Sequence, residues 1–258
     1  MRTLRAAAVY LVLTAASLGA QTAAQTRVYA GQEAAIEACL RTTDIAKYQD
    51  ISLGVTRPTR AWLAPGALVS SVAWKPLRPG VYRGFYESYK SEIAAYRMDR
   101  LLDLRMVPPA VERKLNGITG AVIMWIDNTR MWRDLGSRKP VTREWSAQMV
   151  RMKMFDALIG NIDRNAGNIL VDENWTVYLI DHSRAFVAYK EPPAAFAQVD
   201  ASLWARMKAL DATRLHEALG PWVERRCIDA ILARRDRMEK AIAKLIAKRG
   251  ESLVYVHE

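Results

Sequence analysis

Hydrophobic and polar positions divide the chain into two halves that predict different secondary structure. Between about residues 50 and 82, short apolar runs rich in β-branched residues alternate with Gly and Pro. This pattern predicts short strands joined by turns, over 51–58 and 67–76. A helix is predicted over 86–102, and the continuous apolar run over 120–126 predicts a strand buried on both faces. The first half is therefore expected to be rich in strands.

The second half has helical periodicity with one interruption. Thr142 is a suitable N-cap for a helix that runs to Ile159, and Gly160 provides its stop. Two short apolar runs, 169–171 and 176–180, then predict a hairpin. The tail that follows is helical again, so this half is expected to be rich in helices.

The order of these elements predicts an α+β fold with two lobes. We expect a strand-rich N-lobe over 25–125 and a helix-rich C-lobe over 126–258, with a hinge around 125–130. The hairpin between the helices would lie in the C-lobe, close to the boundary between the two lobes.

The N-terminus has the pattern of an export signal. Arg2 and Arg5 precede an apolar run over 6–16, and small residues follow it. This pattern predicts a signal peptide over 1–24 and a mature protein that is exported, either periplasmic or secreted. The alternative is an uncleaved N-terminal anchor. A transmembrane helix needs about 20 apolar residues, and no run in the sequence supplies them, so no integral membrane segment is expected in the mature chain.

The composition of the 258-residue chain excludes two classes of small protein and indicates the charge of its partners. Two cysteines and three histidines exclude a disulfide-stapled miniprotein and a zinc module built on four cysteines. In an oxidising compartment, Cys39 and Cys227 could form one disulfide. The net charge of +11 indicates affinity for anionic partners such as phosphates or acidic proteins.

The terminal helix carries basic clusters at 225–226, 234–237 and 244–249. No aromatic residues interleave with these clusters to stack bases. We therefore interpret them as a solvated helix face, and no nucleic acid is expected among the partners.

Three polar residues in the second half have a spacing that suggests catalysis. Asp163 is followed by Asn168 five residues later, and Asp181 comes thirteen residues after that. The predicted hairpin lies between Asn168 and Asp181 and would bring them together. A carboxylate and an amide oxygen can hold Mg²⁺, while a second carboxylate orients an attacking hydroxyl, as phosphoryl transfer requires.

The motif Asp-Arg-x-x-x-Asn followed by Leu-Ile-Asp resembles the atypical protein-kinase-like superfamily. Its members include phosphatidylinositol kinases, HipA-type bacterial kinases and secretory-pathway casein kinases. The resemblance implies a two-lobed kinase fold, with Asp163 as the catalytic aspartate and Asn168 and Asp181 as ligands of Mg²⁺ or Mn²⁺. The alternatives are a turn of Asx residues or a calcium loop, although the EF-hand pattern fails at its fifth, sixth and twelfth positions.

The same fold needs a lysine on a strand, held by a glutamate on the next helix, to bind ATP. Lys75 ends a predicted strand, and Glu92 shares a predicted helical face with two tyrosines. A carboxylate on such a face is costly unless it is paired, so we expect a Lys75–Glu92 ion pair. The alternative is a solvated face in which Lys90 or Arg97 pairs with Glu92.

Trp125, Asp156 and His182 also have candidate roles in or near this site. Adenine is expected to rest against the 120–125 strand and the hinge, with Trp125 among the residues that bind it. Asp156 points inward on its helix, where it would hold Arg164 and the loop amides or simply cap the loop. His182 invites a role as a base, but a structural role is the usual one beside an acidic residue.

The sequence also departs from the kinase pattern. The region around Gly54 offers one glycine where a glycine-rich loop would cover the phosphates, and Arg57 and Arg60 there are phosphate contacts or solvated turn residues. The segment 181–183 replaces Asp-Phe-Gly and no Ala-Pro-Glu follows, so we expect a trimmed substrate-binding lobe.

The sequence thus predicts an exported ATP-dependent kinase that transfers the γ-phosphate to a hydroxyl of a protein, a lipid or a small molecule. One alternative is a kinase-like binding module without activity, because ATP is scarce outside the cytoplasm. Another is an extracellular calcium-binding protein that uses residues 163–173.

Overall fold

The computed structural model describes residues 27–50, 59–136, 140–193, 195 and 197–256. The predicted signal peptide and the predicted strand over 51–58, with Gly54 and Arg57, lie outside the described residues. Within the described part, no helix is both long and apolar enough to cross a membrane.

The first half combines strands with two helices. Its elements are, in chain order, α1 (Glu33–Thr42), β1 (Ile45–Asp50), β2 (Thr59–Leu63), β3 (Ser71–Lys75), β4 (Gly80–Tyr82), β5 (Phe85–Glu87), α2 (Tyr89–Leu101), β6 (Ala110–Leu115) and β7 (Ile118–Met124). Five of the strands form one antiparallel sheet in the order β1-β2-β3-β7-β6, and β4 and β5 form a separate hairpin.

Alternating side chains of β3 divide the sheet between two cores. Val72 and Trp74 pack into a cluster with α1 on one face. Ala73 and Lys75 point to the opposite face, where α2 and the second half of the protein form the larger cluster. The strand therefore delivers Lys75, at its end, to the side on which the two halves meet.

Gly120 allows β3 and β7 to approach closely near Lys75. A Cβ atom at this position would lie 2.5 Å from the backbone oxygen of Lys75 and 2.8 Å from the ring of Trp74. Because any side chain would push these strands apart, glycine is required here for the end of β3 to keep its register.

The second half consists of helices around a small sheet. Its elements are β8 (Arg130–Met131), a 3₁₀ turn (Trp132–Leu135), α3 (Arg143–Ile159), a second 3₁₀ turn (Ala166–Asn168), β9 (Ile169–Val171), β10 (Val177–Leu179), β11 (Val199–Asp200), α4 (Ala201–Lys208), α5 (Ala212–Leu219), α6 (Arg225–Arg249), α7 (Glu251–Val254) and β12 (Tyr255–Val256). Strands β10, β9 and β8 form a three-stranded antiparallel sheet, and β11 pairs with β12 in parallel.

The predicted signals of α3 are confirmed. Thr142 caps the helix by accepting the backbone N–H of Trp145 at 3.1 Å. Gly160 ends it in the left-handed conformation, with φ +67°, which glycine adopts without steric cost. The predicted hairpin is present as β9 and β10.

Helix α2 starts later than predicted. Residues 85–87 pair with β4 instead of starting the helix. Ser88 caps the helix by accepting the backbone N–H of Lys90 at 3.0 Å. Local periodicity did not distinguish these three residues from a helical turn, because the pairing partner lies on the preceding strand.

The prediction of a solvated face on the terminal helix is wrong for Arg234. This residue of α6 is fully buried and donates hydrogen bonds to the backbone oxygens of Leu158 at 2.8 Å and Val187 at 3.0 Å. Burial lowers the pKa of Arg234 to about 10. Cys39 and Cys227 are both free thiols in the structure, which has no disulfide between them.

Asp99 on α2 ties this helix to the segment that enters β6. Its buried carboxylate accepts the backbone N–H groups of Arg105, Met106 and Val107 at 3.0, 2.7 and 2.8 Å. We predict that Asp99→Ala lowers the free energy of unfolding by about 3 kcal/mol, because two buried backbone donors and a partly buried one lose their acceptor. Denaturant unfolding measures this. The exposed Asp103→Ala is the control, and equal losses for the two variants would contradict the assignment.

Candidate active site

A cleft of about 680 Å³ lies between the five-stranded sheet and the small β8–β10 sheet. Its walls combine apolar side chains from β3, β6, β7 and β10 with polar side chains from both halves. The sequence-predicted residues Lys75, Glu92, Trp125, Asn168 and Asp181 all line it. Asp163 does not line this cleft, although its loop does.

Lys75 forms the centre of the site. Its Nζ donates to Oε1 of Glu92 at 2.7 Å and to Oδ1 of Asp181 at 2.8 Å. The side chains of Lys75 and Glu92 are buried, whereas that of Asp181 is 29% exposed. The ion pair expected from the sequence is therefore present, and a second carboxylate completes it.

The charges of this group stabilise one another. Burial acts to lower the pKa of Lys75, but the carboxylates of Asp181 and Glu92 outweigh burial and raise this pKa above its ordinary value. Burial likewise acts to raise the pKa of Glu92, and the charge of Lys75, with a hydrogen bond from His182, lowers this pKa well below its ordinary range. Lys75 and Glu92 are thus held in their charged forms.

His182 is part of the support for Glu92. Its backbone N–H donates to Oε2 of Glu92 at 3.0 Å, and its Nε2 accepts from Arg164 at 2.9 Å. The ring is fully buried, and burial is the main cause that lowers the pKa of His182. A neutral, buried ring that already accepts from an arginine fits the structural role rather than that of a base.

The hairpin brings the two ends of the motif together. The side-chain Nδ2 of Asn168 donates to the backbone oxygen of Asp163 at 3.0 Å, which leaves its Oδ1 as the atom suited to a cation. The backbone N–H of Ile180 donates to the backbone oxygen of Asn168 at 3.2 Å. Asn168 and Asp181 therefore lie at the same end of the β9–β10 pair, on the cleft wall.

Asp181 has a backbone conformation that few residues adopt. Its φ of +57° lies in the left-handed region, which is uncommon for residues other than glycine and is concentrated at functional sites. Asp181 lies two residues after the end of β10. The Oδ1 of Asp181 also accepts from the hydroxyl of Ser183 at 3.2 Å.

Arg164 links the two ends of the β9–β10 hairpin through hydrogen bonds to their backbone. Its Nη1 donates to the backbone oxygens of Asn168 at 2.6 Å and Ile180 at 2.8 Å. Its Nε and Nη2 donate to the carboxylate of Asp156 at 2.9 and 3.1 Å, and that carboxylate also accepts from Asn161 at 2.8 Å. Of the two roles considered for Asp156, the structure shows the one that holds Arg164.

Asp163 is paired with an arginine that sequence reasoning missed. Nη1 of Arg184 lies 3.3 Å from Oδ2 of Asp163. The same guanidinium contacts Oε1 of Glu87 at 2.7 Å and stacks over the ring of Phe85 at 4.5 Å. Burial raises the pKa of Asp163, while Arg184 acts to lower it. Arg184 follows Asp181 by three residues, but its partners on β5 lie about 100 residues away in sequence.

Arg60 is neither a solvated turn residue nor a free phosphate ligand. Its guanidinium lies between the rings of Trp62 and Trp125, at 4.0 and 4.4 Å from their centroids. It also donates to the hydroxyl of Ser71 at 2.8 Å and to Asp127 at 2.7 Å. Arg60 therefore joins the sheet to the start of the hinge and fixes the Trp125 ring at the rim of the cleft.

The side-chain oxygens of Asn168 and Asp181 suit a divalent cation that also binds a second ligand. A carboxylate and an amide oxygen are the hard donors that Mg²⁺ and Mn²⁺ prefer. The described residues contain no group of three or more His, Cys, Asp or Glu placed to hold a metal, so a bound phosphate would have to supply further oxygens. In the segment predicted as a calcium loop, Asp172 instead accepts the backbone N–H groups of Asn174 and Thr176, as in a turn.

No protein-family model and no curated protein matches this sequence. Solved structures do match the fold. The structure of hydra Fam20 with sugar superposes with a TM-score of 0.66 at 17% identity, covering 86% of this chain and 91% of that chain. The Golgi casein kinase gives a TM-score of 0.65 at 18% identity, covering 87% and 78%.

The Helicobacter pylori proinflammatory kinase CtkA is also similar, with a TM-score of 0.51 at 11% identity over 83% of this chain and 97% of that chain. The predicted fold class is therefore confirmed: the chain has a two-lobed protein-kinase-like fold, with a strand-rich N-lobe and a helix-rich C-lobe. At these identities the similarity establishes the fold alone.

The Asp156–Arg164 pair provides a test of how the motif is held. We predict that Asp156→Ala lowers the free energy of unfolding by about 3 kcal/mol, because it leaves a largely buried guanidinium without its carboxylate. Denaturant unfolding measures the loss. Asp236→Ala removes an exposed pair with Arg235 and is the matched control, expected to cost less than about 1 kcal/mol. A similar loss in both variants would show that Arg164 does not depend on Asp156.

Proposed function

We propose that this protein is an ATP-dependent kinase that transfers the γ-phosphate to a hydroxyl acceptor outside the cytoplasm. The observation that carries the proposal is the convergence of Lys75, Glu92 and Asp181 within 2.8 Å contacts, with Asn168 on the same cleft wall. Phosphoryl transfer depends on such positioning and on electrostatic stabilisation.

The cleft has an apolar part and a charged part, which suit the base and the phosphates of a nucleotide. Side chains such as Ala73, Ile123 and Leu179 would receive the adenine, and Trp125 stands at the rim. Lys75 would contact the phosphates, with Glu92 keeping its ammonium group in place. The Golgi casein kinase that shares this fold has been solved with Mn/ADP bound, which supports a nucleotide and a divalent cation as the ligands here.

Asn168 and Asp181 would hold Mg²⁺ or Mn²⁺. When bound, the cation would offset the negative charge of the phosphate oxygens. The chain's own contribution would be to bring both oxygen donors to the same end of the β9–β10 hairpin, which the Arg164 contacts hold in place. The left-handed backbone of Asp181 keeps its carboxylate on the cleft wall, where Lys75 also contacts it.

Asp163 would orient the hydroxyl of the acceptor and accept its proton. Its side chain is 39% exposed, so an acceptor can reach it. Arg184 holds the carboxylate and opposes the rise in the pKa of Asp163 that burial causes, which favours the ionised form that accepts a proton. The acceptor is a protein, a lipid or a small molecule, and the predicted signal peptide motivates the location outside the cytoplasm.

Thermal unfolding with Mg-ATP, with Ca²⁺ alone or with neither separates this proposal from its alternatives. A ligand at a hundred times its Kd stabilises a fold by about 2.7 kcal/mol, which shifts the midpoint by several degrees. We expect stabilisation by Mg-ATP. Stabilisation by Ca²⁺ alone would overturn the kinase proposal, and binding of Mg-ATP without transfer to any acceptor would favour an inactive module.

The metal role of Asp181 predicts a specific loss. Asp181→Asn removes a negative ligand while Lys75 keeps its pair with Glu92, so the fold is expected to remain intact. Nucleotide binding by this variant should lose its dependence on Mg²⁺, measured by titration calorimetry with and without the metal. Undiminished metal dependence would show that Asp181 is not a ligand.

The role of Asp163 predicts the complementary result. Asp163→Ala should reduce phosphate transfer by at least about 100-fold and leave Mg-ATP binding unchanged, because Asp163 does not line the nucleotide cleft. Transfer is measured with radiolabelled ATP and the best available acceptor, and Asp236→Ala serves as the control. Turnover at the wild-type level would remove Asp163 from the mechanism.

A further inference from the structure

A second groove, of about 760 Å³, shares no lining residue with the nucleotide cleft. Ile162, which directly precedes Asp163, lines it, and so do residues of the β4–β5 hairpin, the segment 186–189 and the segment 220–227. We call this surface, together with the rest of the hairpin, the hairpin face. None of its residues belongs to the proposed nucleotide site.

The hairpin face concentrates the exposed apolar side chains of the protein. Of the twelve large hydrophobic residues that are exposed in the described part of the chain, five line the groove and Tyr82 lies on the same hairpin. The five are Val81, Phe85, Tyr86, Ile162 and Tyr189. All six residues from 81 to 86 are exposed, so the hairpin projects from the body of the protein. Such an exposed apolar patch is a mark of an interaction surface.

The charges around this patch are mostly positive. Arg78 precedes the hairpin and Arg83 lies in its turn, and both are exposed. Lys90 and Arg226 line the groove, where Glu224 is the one carboxylate among the described lining residues. Glu224 is paired with Arg226 at 2.8 Å. A partner for this surface must therefore present both apolar groups and negative charges.

We propose that the hairpin face docks on an anionic lipid surface. Tyrosine and phenylalanine side chains with neighbouring arginines are suited to the headgroup region, where rings contact apolar chains and guanidinium groups contact phosphates. A projecting hairpin can enter a deformable lipid layer without a preformed complementary pocket. The net charge of +11, which becomes 11 − 2 = +9 when Arg2 and Arg5 leave with the predicted signal peptide, favours the same kind of surface.

Docking in this orientation has a consequence for the site. Ile162 would face the lipid, and the loop that carries Asp163 would lie at the surface. This consequence, unlike the docking, rests on the proposed function: the acceptor hydroxyl would then belong to a lipid headgroup or to a molecule held at the membrane.

Vesicle sedimentation tests the docking without any measurement of activity. The purified chain is mixed with phosphatidylcholine vesicles and with vesicles that also contain phosphatidylglycerol. We expect preferential binding to the anionic vesicles. The double variant Arg78→Gln and Arg83→Gln should weaken that binding on the order of tenfold, and Val81→Ser with Phe85→Ser should weaken it similarly.

Matched controls keep the test specific. Lys47→Gln with Lys114→Gln removes two exposed charges from β1 and β6, and Val141→Ser removes an exposed apolar side chain elsewhere. Both are expected to bind vesicles as the wild type does. Equal binding to neutral and anionic vesicles, or equal losses in hairpin and control variants, would overturn the proposal. Retention on an acidic glutamate–tyrosine copolymer without vesicle binding would assign the surface to a protein partner instead.

Discussion

The arrangement of the site depends on one buried cation and the two carboxylates that hold it. Lys75 at the end of β3, Glu92 on α2 and Asp181 after β10 come from three elements that meet only in the folded chain. A buried ammonium without partners would be strongly destabilising, so the three elements are constrained together. The same contacts hold Lys75 and Asp181 at the wall of the cleft.

A second network supports this group from the helix-rich half. Arg164 contacts the backbone on both sides of the hairpin and is itself held by Asp156. His182 links this network to Glu92, since its backbone N–H reaches the carboxylate and its ring accepts from Arg164. The site is therefore positioned by a connected set of buried polar contacts, which favours a single arrangement of its side chains.

Local signals in the sequence were sufficient for the elements that carry the motif. The cap and stop of α3, the β9–β10 hairpin and the Lys75–Glu92 pair follow from spacing, capping residues and the cost of an unpaired carboxylate. Other features depend on distant partners. Arg184 is positioned by Glu87 and Phe85 on β5, which are distant in sequence. Arg234 is buried and donates to the backbone oxygens of Leu158 and Val187, which the periodicity of its own helix does not reveal. The β4–β5 pairing was missed for the same reason.

The most direct test of the site is a crystal structure of the chain with Mn²⁺ and ADP. We expect an anomalous manganese peak about 2.1 Å from oxygens of Asn168 and Asp181, with a phosphate oxygen in contact with Lys75. A manganese ion bound away from both residues, or a nucleotide outside the cleft, would contradict the account.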